Sequence, residues 1–469
     1  MKIFTSIKAN PERYLLFLLF IITVLPRFLG LGYSEFYGDE TKVLYLNKSV
    51  TAPQFFLNQR KGPVSFGVAW FVENLTGGYD ELAIRLPFAV AGTMSVFVLY
   101  LVVRKWFGWQ TALIAALLFS VNGLFIAFSR TAQYQAFLWL FGLSAIWYAQ
   151  RGRVLFSGAF LGLCLLTHYD GLFFILPTLL SLWERGLSRR AFGRRVVGFA
   201  AVGALVAGAF YAPYLLGGYF SENTVGYITR RLNGESPFSI AALTYLLYNP
   251  FVLSIPLLLL GLGVFVLKVV SRNLKLVLGS WLLLPLVSFI FIFSDPGTHI
   301  QQFVIPLVIM AAAVLYKMYS FSARLGIQGV LTGIAAVTAS GYLYYNFMAF
   351  IPAFDKGYPW EESYLIDRES DLYIYGFTYH RGWKQVSEHL KESGAKTFYT
   401  NDNVTIASYY LLGIPADKQE PHFYVEIAKN QMFRPLNRAV FGSYEYVLDA
   451  VIRTEGSDTA KIYKRLEVI

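Results

Sequence analysis

The sequence predicts an α-helical polytopic membrane protein with a small soluble α/β domain at its C-terminal end. Three observations carry that prediction. Of the 469 residues 56% are hydrophobic and only 15% are charged, against roughly 25% charged in an ordinary soluble domain. Apolar blocks of bilayer-spanning length recur along most of the chain, separated by short polar joints. Beyond residue 351 the pattern changes to the mixed helical and strand-like rhythm of a soluble fold.

Eleven spans follow, at approximately 14–32, 82–103, 110–128, 132–150, 154–168, 170–183, 196–216, 241–267, 276–294, 300–317 and 325–345. The start MKIFTSIKANPERYLLFLLF looks signal-like. It runs into VLPRFLGLG without a small-residue cleavage site, so it reads as a retained first helix. The segment 154–183 reads as two short helices interrupted by THYDG, each below the roughly 20 residues of a normal span. Charge supports that division. With the N-terminus cytoplasmic, the inner joints carry Arg104 and Lys105, Arg151 and Arg153, ERGLSRRAFGRR, KVVSRNLK, and Lys317 with Arg324. All five are basic. Merging the two short helices would turn SRRAFGRR outward.

The membrane part is therefore residues 1–351, and residues 352–469 form the extracytoplasmic domain. Outer regions fall at 33–81, 129–131, 217–240 and 294–299. In the first, APQFFLNQRKGPVSFGVAWFVENL is apolar near 64–72 but too short to cross, which predicts a helix lying at the interface. In the C-terminal domain GWKQVSEHLKESG reads as a helix, AKTFYT as a strand and NVTIASYYLLG as a short capped helix. YEYVLDAVI and AKIYKRLEVI read as paired strands.

Composition also excludes. The net charge of +11 sits mainly in the inner joints, where topology and anionic headgroups explain it, so no nucleic acid partner is expected. The single cysteine, Cys164, permits no intrachain disulfide. No Walker loop, dinucleotide fingerprint, CxxC or HExxH is present. The sequons at Asn47, Asn74 and Asn403 are short enough to occur by chance.

Candidate chemistry gathers at the outer ends of the spans. Asp39 and Glu40 follow the first span directly. An acid pair there is either simply solvated at the interface, or a general base or carboxylate metal site at the mouth of a cavity. A divalent metal at that pair is the one cofactor the pattern allows. Lys61 lies later on the same loop. Arg130 and Tyr134 occupy the next outer turn, FSRTAQYQ, where an arginine between spans either snorkels or meets an anion. Arg230 and Arg231 add basic charge to 217–240, and His299 with Gln302 stands at the lip of the tenth span. Arginine forks suit phosphate. His168 and Asp170 meet at the THYDG break, as packing or as a second wall of a site; two residues apart, they share no helix face.

Together RFLGLGYSEFYGDE, KGPVSFGVAWFV, DELAIRLPFAVAGTMSVFVLYLVVRKWFG, LFIAFSRTAQYQAFL, LCLLTHYDGLFFILP and HIQQFVIP resemble the membrane-embedded GT-C glycosyltransferases. The branch is that of the protein O-mannosyltransferases and the lipid A aminoarabinose transferases, over roughly residues 14–315. The resemblance implies an inverting transfer of sugar from a polyprenyl-phosphate carrier on the non-cytoplasmic face. It implies Asp39 as the base, Glu40 completing the DE motif, and Arg130 and His299 as donor contacts. Relatives often have His-Pro where this chain has Lys61-Gly62-Pro63. The implied partners are that donor, a lipid, glycan or protein acceptor, and membrane lipids, in the plasma membrane of a prokaryote. The rival reading is a lipid-linked sugar transporter or flippase, which would show internal repeats with matched broken helices; none is visible. A ligase moving whole glycans would share the fold class.

Overall fold

The computed structural model describes residues 10–46, 48–183, 188–232, 254–266, 270–292, 297–350, 380–428, 430, 432, 444–454 and 456–466. The first helix, α1 (Pro11–Phe28), enters through Pro11 at its first turn, where the missing N–H is no loss. The first outer loop then carries a 3-10 turn at Gly38–Val43 and two short helices, α2 (Ala52–Leu57) and α3 (Val64–Thr76). The last of these is a helix where the sequence predicts one, over the apolar stretch near 64–72. It ends at Gly77, whose φ of +77° suits a glycine.

The membrane part continues as α4 (Glu81–Phe107), α5 (Trp109–Val121), α6 (Gly123–Arg130), α7 (Gln135–Gln150) and α8 (Val154–Thr167). After a 3-10 turn at Tyr169–Phe174 come α9 (Ile175–Ser181), α10 (Arg189–Leu216), α11 (Glu222–Leu232) and α12 (Ser254–Val266). The last are α13 (Arg272–Phe291), α14 (Gln301–Ser322) and α15 (Gln328–Phe350). The α14 helix is the spine: every residue from Gln301 to Val314 is buried, and it packs on α5, α12 and α13. Outward faces are apolar, with Leu205 74% and Val197 69% exposed. Such faces suit lipid, and the chain is an integral membrane protein.

Described helices overlap the expected spans, with further helices in the expected outer regions 33–81 and 217–240, but most are shorter than a bilayer crossing. Four are long and apolar enough alone: Glu81–Phe107, Arg189–Leu216, Arg272–Phe291 and Gln301–Leu325. The expected span 110–128 is two helices, α5 and α6, bent by 60°. Asn122 causes the break, because its extended backbone stops α5 while its side chain caps Leu124 N–H of α6 at 3.1 Å. Residues 233–253, which hold the end of the expected outer region 217–240 and the start of the expected span 241–267, lie outside the described residues, as do 293–296 and 351–379.

The C-terminal domain holds α16 (Trp383–Glu392), β1 (Phe398–Thr400), α17 (Val404–Tyr410), β2 (Phe423–Ile427), β3 (Tyr446–Thr454) and β4 (Ser457–Arg465). The sheet order is β1-β2-β4-β3, with β1 and β2 parallel and the other pairs antiparallel. Trp383, Val386, Leu390 and Ile406 pack with Phe398, Phe423, Val425 and Ile462 as its core. The helices, β1 and the β3–β4 pair agree with the sequence reading. The central strand β2, FYVEI, is additional.

This domain is bolted to the first outer loop. Buried Glu35 accepts the backbone N–H groups of Arg381 (2.8 Å), Gly382 (2.8 Å) and Trp383 (3.2 Å), so the loop supplies the anion at the N-terminus of α16. Tyr410 OH donates to Glu81 at 2.7 Å and accepts Phe36 N–H at 2.8 Å. Burial, then the Glu81 carboxylate, pushes that hydroxyl's pKa far up and keeps it a donor.

Candidate functional site

The acid pair divides. Glu40 is fully buried on the 3-10 turn, and each of its oxygens takes two donors. Oε1 accepts from Arg85 Nε at 2.9 Å and Ala132 N–H at 2.8 Å; Oε2 accepts from Arg85 Nη2 at 2.7 Å and Tyr37 N–H at 2.8 Å. Arg85 spends its remaining N–H groups on the carbonyls of Leu31, Ser34 and Glu35. This bidentate clamp leaves Glu40 no lone pair for a proton or a metal. The expectation of a metal held jointly by Asp39 and Glu40 is corrected on that ground. Asp39 points the other way. Its side chain is 52% exposed and, among the described residues, pairs with Lys42 at 2.5 Å, so it is the member of the pair with open oxygens.

Arg130 also differs from its expected role. It is buried, and it donates to the carbonyls of Pro26 at 2.9 Å, Leu29 at 2.7 Å and Gly30 at 3.2 Å. These are the orphan acceptors of the α1 C-terminus, where a cation is favoured. A backbone cap thus replaces the anticipated phosphate contact. Neighbouring Arg27, not singled out by the sequence reading, is buried as well and donates to Thr23 O, Ser120 O and Ser129 Oγ.

A second cluster forms where the short helices end. The α8 helix stops at His168, whose extended backbone lets Nδ1 accept Asp170 N–H at 3.1 Å. Gly171 is required there, since a Cβ would stand 2.9 Å from the Cys164 carbonyl carbon. Asp170, buried, faces His299 Nδ1 at 2.8–2.9 Å and Tyr134 OH at 3.2 Å. Gln301 and Gln302 approach its Oδ2 at 3.5 and 3.4 Å. The Tyr134 ring stacks on His168 at 3.8 Å, and the Tyr169 ring lies 3.8 Å from His168 at 43°. The structure therefore brings Tyr134, His168, Asp170, His299 and Gln302 together, although their sequence positions span three outer connections.

Lys61 belongs to the same neighbourhood, and its charge reaches His168. Gly62 makes this approach possible. Its φ is +112°, and a Cβ would lie 2.0 Å from the Leu166 carbonyl oxygen. Arg60 stacks on the Tyr227 ring at 4.0 Å, and Tyr227 OH meets Tyr169 OH at 3.1 Å. Among the described residues Lys61 has no carboxylate partner. Arg230 and Arg231 lie on α11, but their side chains are outside the described residues. The turn at 131–134 joins the two clusters: Ala132 N–H binds Glu40, and Tyr134, two residues on, binds Asp170. Two residues span at most about 7 Å of chain.

By fold, the chain is similar to ArnT from Cupriavidus metallidurans in its apo state, with TM-score 0.58 and 15% identity over 96% of this chain and 97% of that one. It is equally similar to ArnT bound to undecaprenyl phosphate, with TM-score 0.56, 15% identity and the same coverage. The chain has the GT-C glycosyltransferase fold. The same GT-C likeness extends to the oligosaccharyltransferase AglB from Archaeoglobus fulgidus, in complex with an inhibitory peptide and a dolichol-phosphate. There the TM-score is 0.53 and the identity 14%, over 88% of this chain and 61% of that one.

Residues 60–215 also match the family described as dolichyl-phosphate-mannose-protein mannosyltransferase. That stretch contains Lys61, Arg130, Tyr134, His168 and Asp170; Asp39, Glu40 and His299 lie outside it. No curated protein sequence matches the chain. The resemblance to GT-C glycosyltransferases read from the sequence is thus shown.

Proposed function

We propose that this chain is an inverting glycosyltransferase that moves a sugar from a polyprenyl-phosphate donor to an acceptor on the non-cytoplasmic side of a prokaryotic plasma membrane. The N-terminus is then cytoplasmic and the C-terminal domain extracytoplasmic. The observation that carries the reading is Asp39. It is an open carboxylate on a turn whose next residue, Glu40, is fixed by four donors, beside a cluster bearing a cation without a carboxylate partner. The likeness to ArnT bound to undecaprenyl phosphate and to AglB with dolichol-phosphate supports a lipid-phosphate donor.

In this mechanism Asp39 takes a proton from the acceptor hydroxyl or amine. The freed electron pair attacks the anomeric carbon, the bond from that carbon to the phosphate oxygen breaks, and its electrons leave with the phosphate. Lys61, with Arg230 and Arg231 from α11, stabilises the charge that develops there. One displacement opposite the leaving group inverts the anomeric centre. The sugar, hexose or pentose, and the acceptor are left to experiment.

The test is release and transfer of label from a panel of radiolabelled polyprenyl-phosphate sugars. Wild-type protein and Asp39→Asn would be compared in membranes supplying host acceptors. Transfer by wild type, with loss in Asp39→Asn and retained donor binding, is the expected result. Donor that binds but is never consumed, with Asp39→Asn indistinguishable from wild type, overturns the catalytic reading and makes lipid flipping the next assay.

A further inference from the structure

We propose that His168, Asp170 and His299 form a binding site for one divalent transition-metal ion. The proposal stands on the geometry of these side chains and does not depend on the transferase reading. One nitrogen from each ring and one carboxylate oxygen lie within 4.8 Å of one another, and all three residues are buried. Among the described residues no other group of three such side chains is this close. The ligands come from the break after α8 and from the lead into α14, 129 residues apart between Asp170 and His299. Helix spacing does not create the cluster by default.

The case rests on what the protein leaves unfinished. Among the described residues His168 Nε2 has no hydrogen-bond partner, nor have Gln301 Oε1 and Gln302 Oε1, and all three are buried. A buried polar atom left open costs about 1–3 kcal/mol, and here three surround one carboxylate. An imidazole–carboxylate network that served packing alone would use these atoms. A cation takes up the two amide oxygens instead: either amide, turned end for end, presents its oxygen to the same point, while His168 offers the Nδ1 lone pair now held by Asp170 N–H.

Distances fit with small movements. His299 Nδ1 and His168 Nδ1 stand 2.8 and 3.1 Å from Asp170 oxygens. Ligand atoms bound at about 2.0–2.2 Å around a tetrahedral ion are separated by roughly 3.3–3.6 Å. Opening the two His–Asp contacts toward about 3.3 Å, within a group whose atoms already lie inside 4.8 Å, admits the ion. The mixed imidazole and carboxylate set favours zinc, manganese or iron over calcium or magnesium. Tyr134 serves as outer support: its hydroxyl touches both Asp170 and His299, and its ring stacks on His168.

The experiment uses the full chain in detergent, untagged and stripped with EDTA, dialysed against zinc or manganese and assayed by elemental analysis. A Co²⁺ titration followed by visible absorption gives a second, spectroscopic readout. About one ion per chain is expected, with a Tm that rises on loading. Binding should fall by about 100-fold or more in His168→Ala and His299→Gln. In Tyr134→Phe the loss should be the roughly 10–100-fold of an outer partner. His389→Ala, which alters an exposed His–Asp pair elsewhere, should bind as wild type.

If His168→Ala fails to fold by gel filtration, His299→Gln decides the matter alone. Stoichiometry well below one, or retention of binding in both ligand variants, overturns the site. So does loss confined to His389→Ala. Failure of metal binding with Asp39-dependent transfer intact would remove this site and leave the transferase reading standing.

Discussion

Glu40 and Asp170 are both buried carboxylates at the outer ends of helices, yet their surroundings are opposite. Glu40 faces a guanidinium that is charged at any working pH, plus two backbone N–H groups, and every acceptor site is filled. Asp170 faces two imidazoles, a phenol and two amides, with several polar atoms around it left open. The first arrangement is finished and holds the loop. The second is left open by the described residues, and a metal ion is what we propose completes it. Saturation, rather than burial or charge, separates a scaffold acid from a candidate ligand.

Breaking the finished half should have the largest effect. Arg85→Met leaves Glu40 buried and uncompensated, and a loss of about 3–5 kcal/mol is expected for a buried pair cut on one side. Thermal unfolding in detergent would register it as a large drop in Tm.

Asp39→Asn should do the reverse. Its surroundings are solvent and Lys42, so stability should change by less than about 0.5 kcal/mol. Transfer should fall by about 10²–10⁴-fold, the range of general-base contributions; a matching fall in Tm would put Asp39 with the scaffold.

Glu35→Ala removes the carboxylate that accepts the N–H groups of Arg381, Gly382 and Trp383 at the start of α16. About 1–3 kcal/mol is expected, read as faster amide exchange confined to 380–392. The smallest change belongs to Lys42→Ala. An exposed pair contributes about 0–1 kcal/mol, so Tm should barely move.

The same contrast explains what the sequence disclosed. Apolar blocks announce helices, and DE after the first span announces an acid pair, because both are local. Which acid is spent is not local: it depends on Arg85, hidden in the apolar run ELAIRLP, and on Ala132. A charge inside a span was the available signal, and it would have flagged Arg85 and Arg27. The bend at Asn122 was legible in the VNG stretch as a cap. The strand β2 was not, since FYVEI is a short apolar run without alternation. Tyr227, Arg60 and Gln301 carry no mark until three separate connections are folded against one another. His168 and Asp170 looked ill-placed on one helix; the 3-10 turn is what makes them meet.

The cap that Glu35 provides to α16 has a consequence for biosynthesis. In a chain made from its N-terminus, Glu35 appears 346 residues ahead of Arg381. The loop bearing Asp39 therefore has only the Glu40–Arg85 clamp, and lacks this second brace, until nearly the whole polypeptide exists. Completing synthesis adds the second brace, and a prematurely terminated chain would hold Asp39 on a loop fixed at Glu40 alone. A chain ending at residue 351 should accordingly be cut by protease within 33–46, where the full-length protein resists.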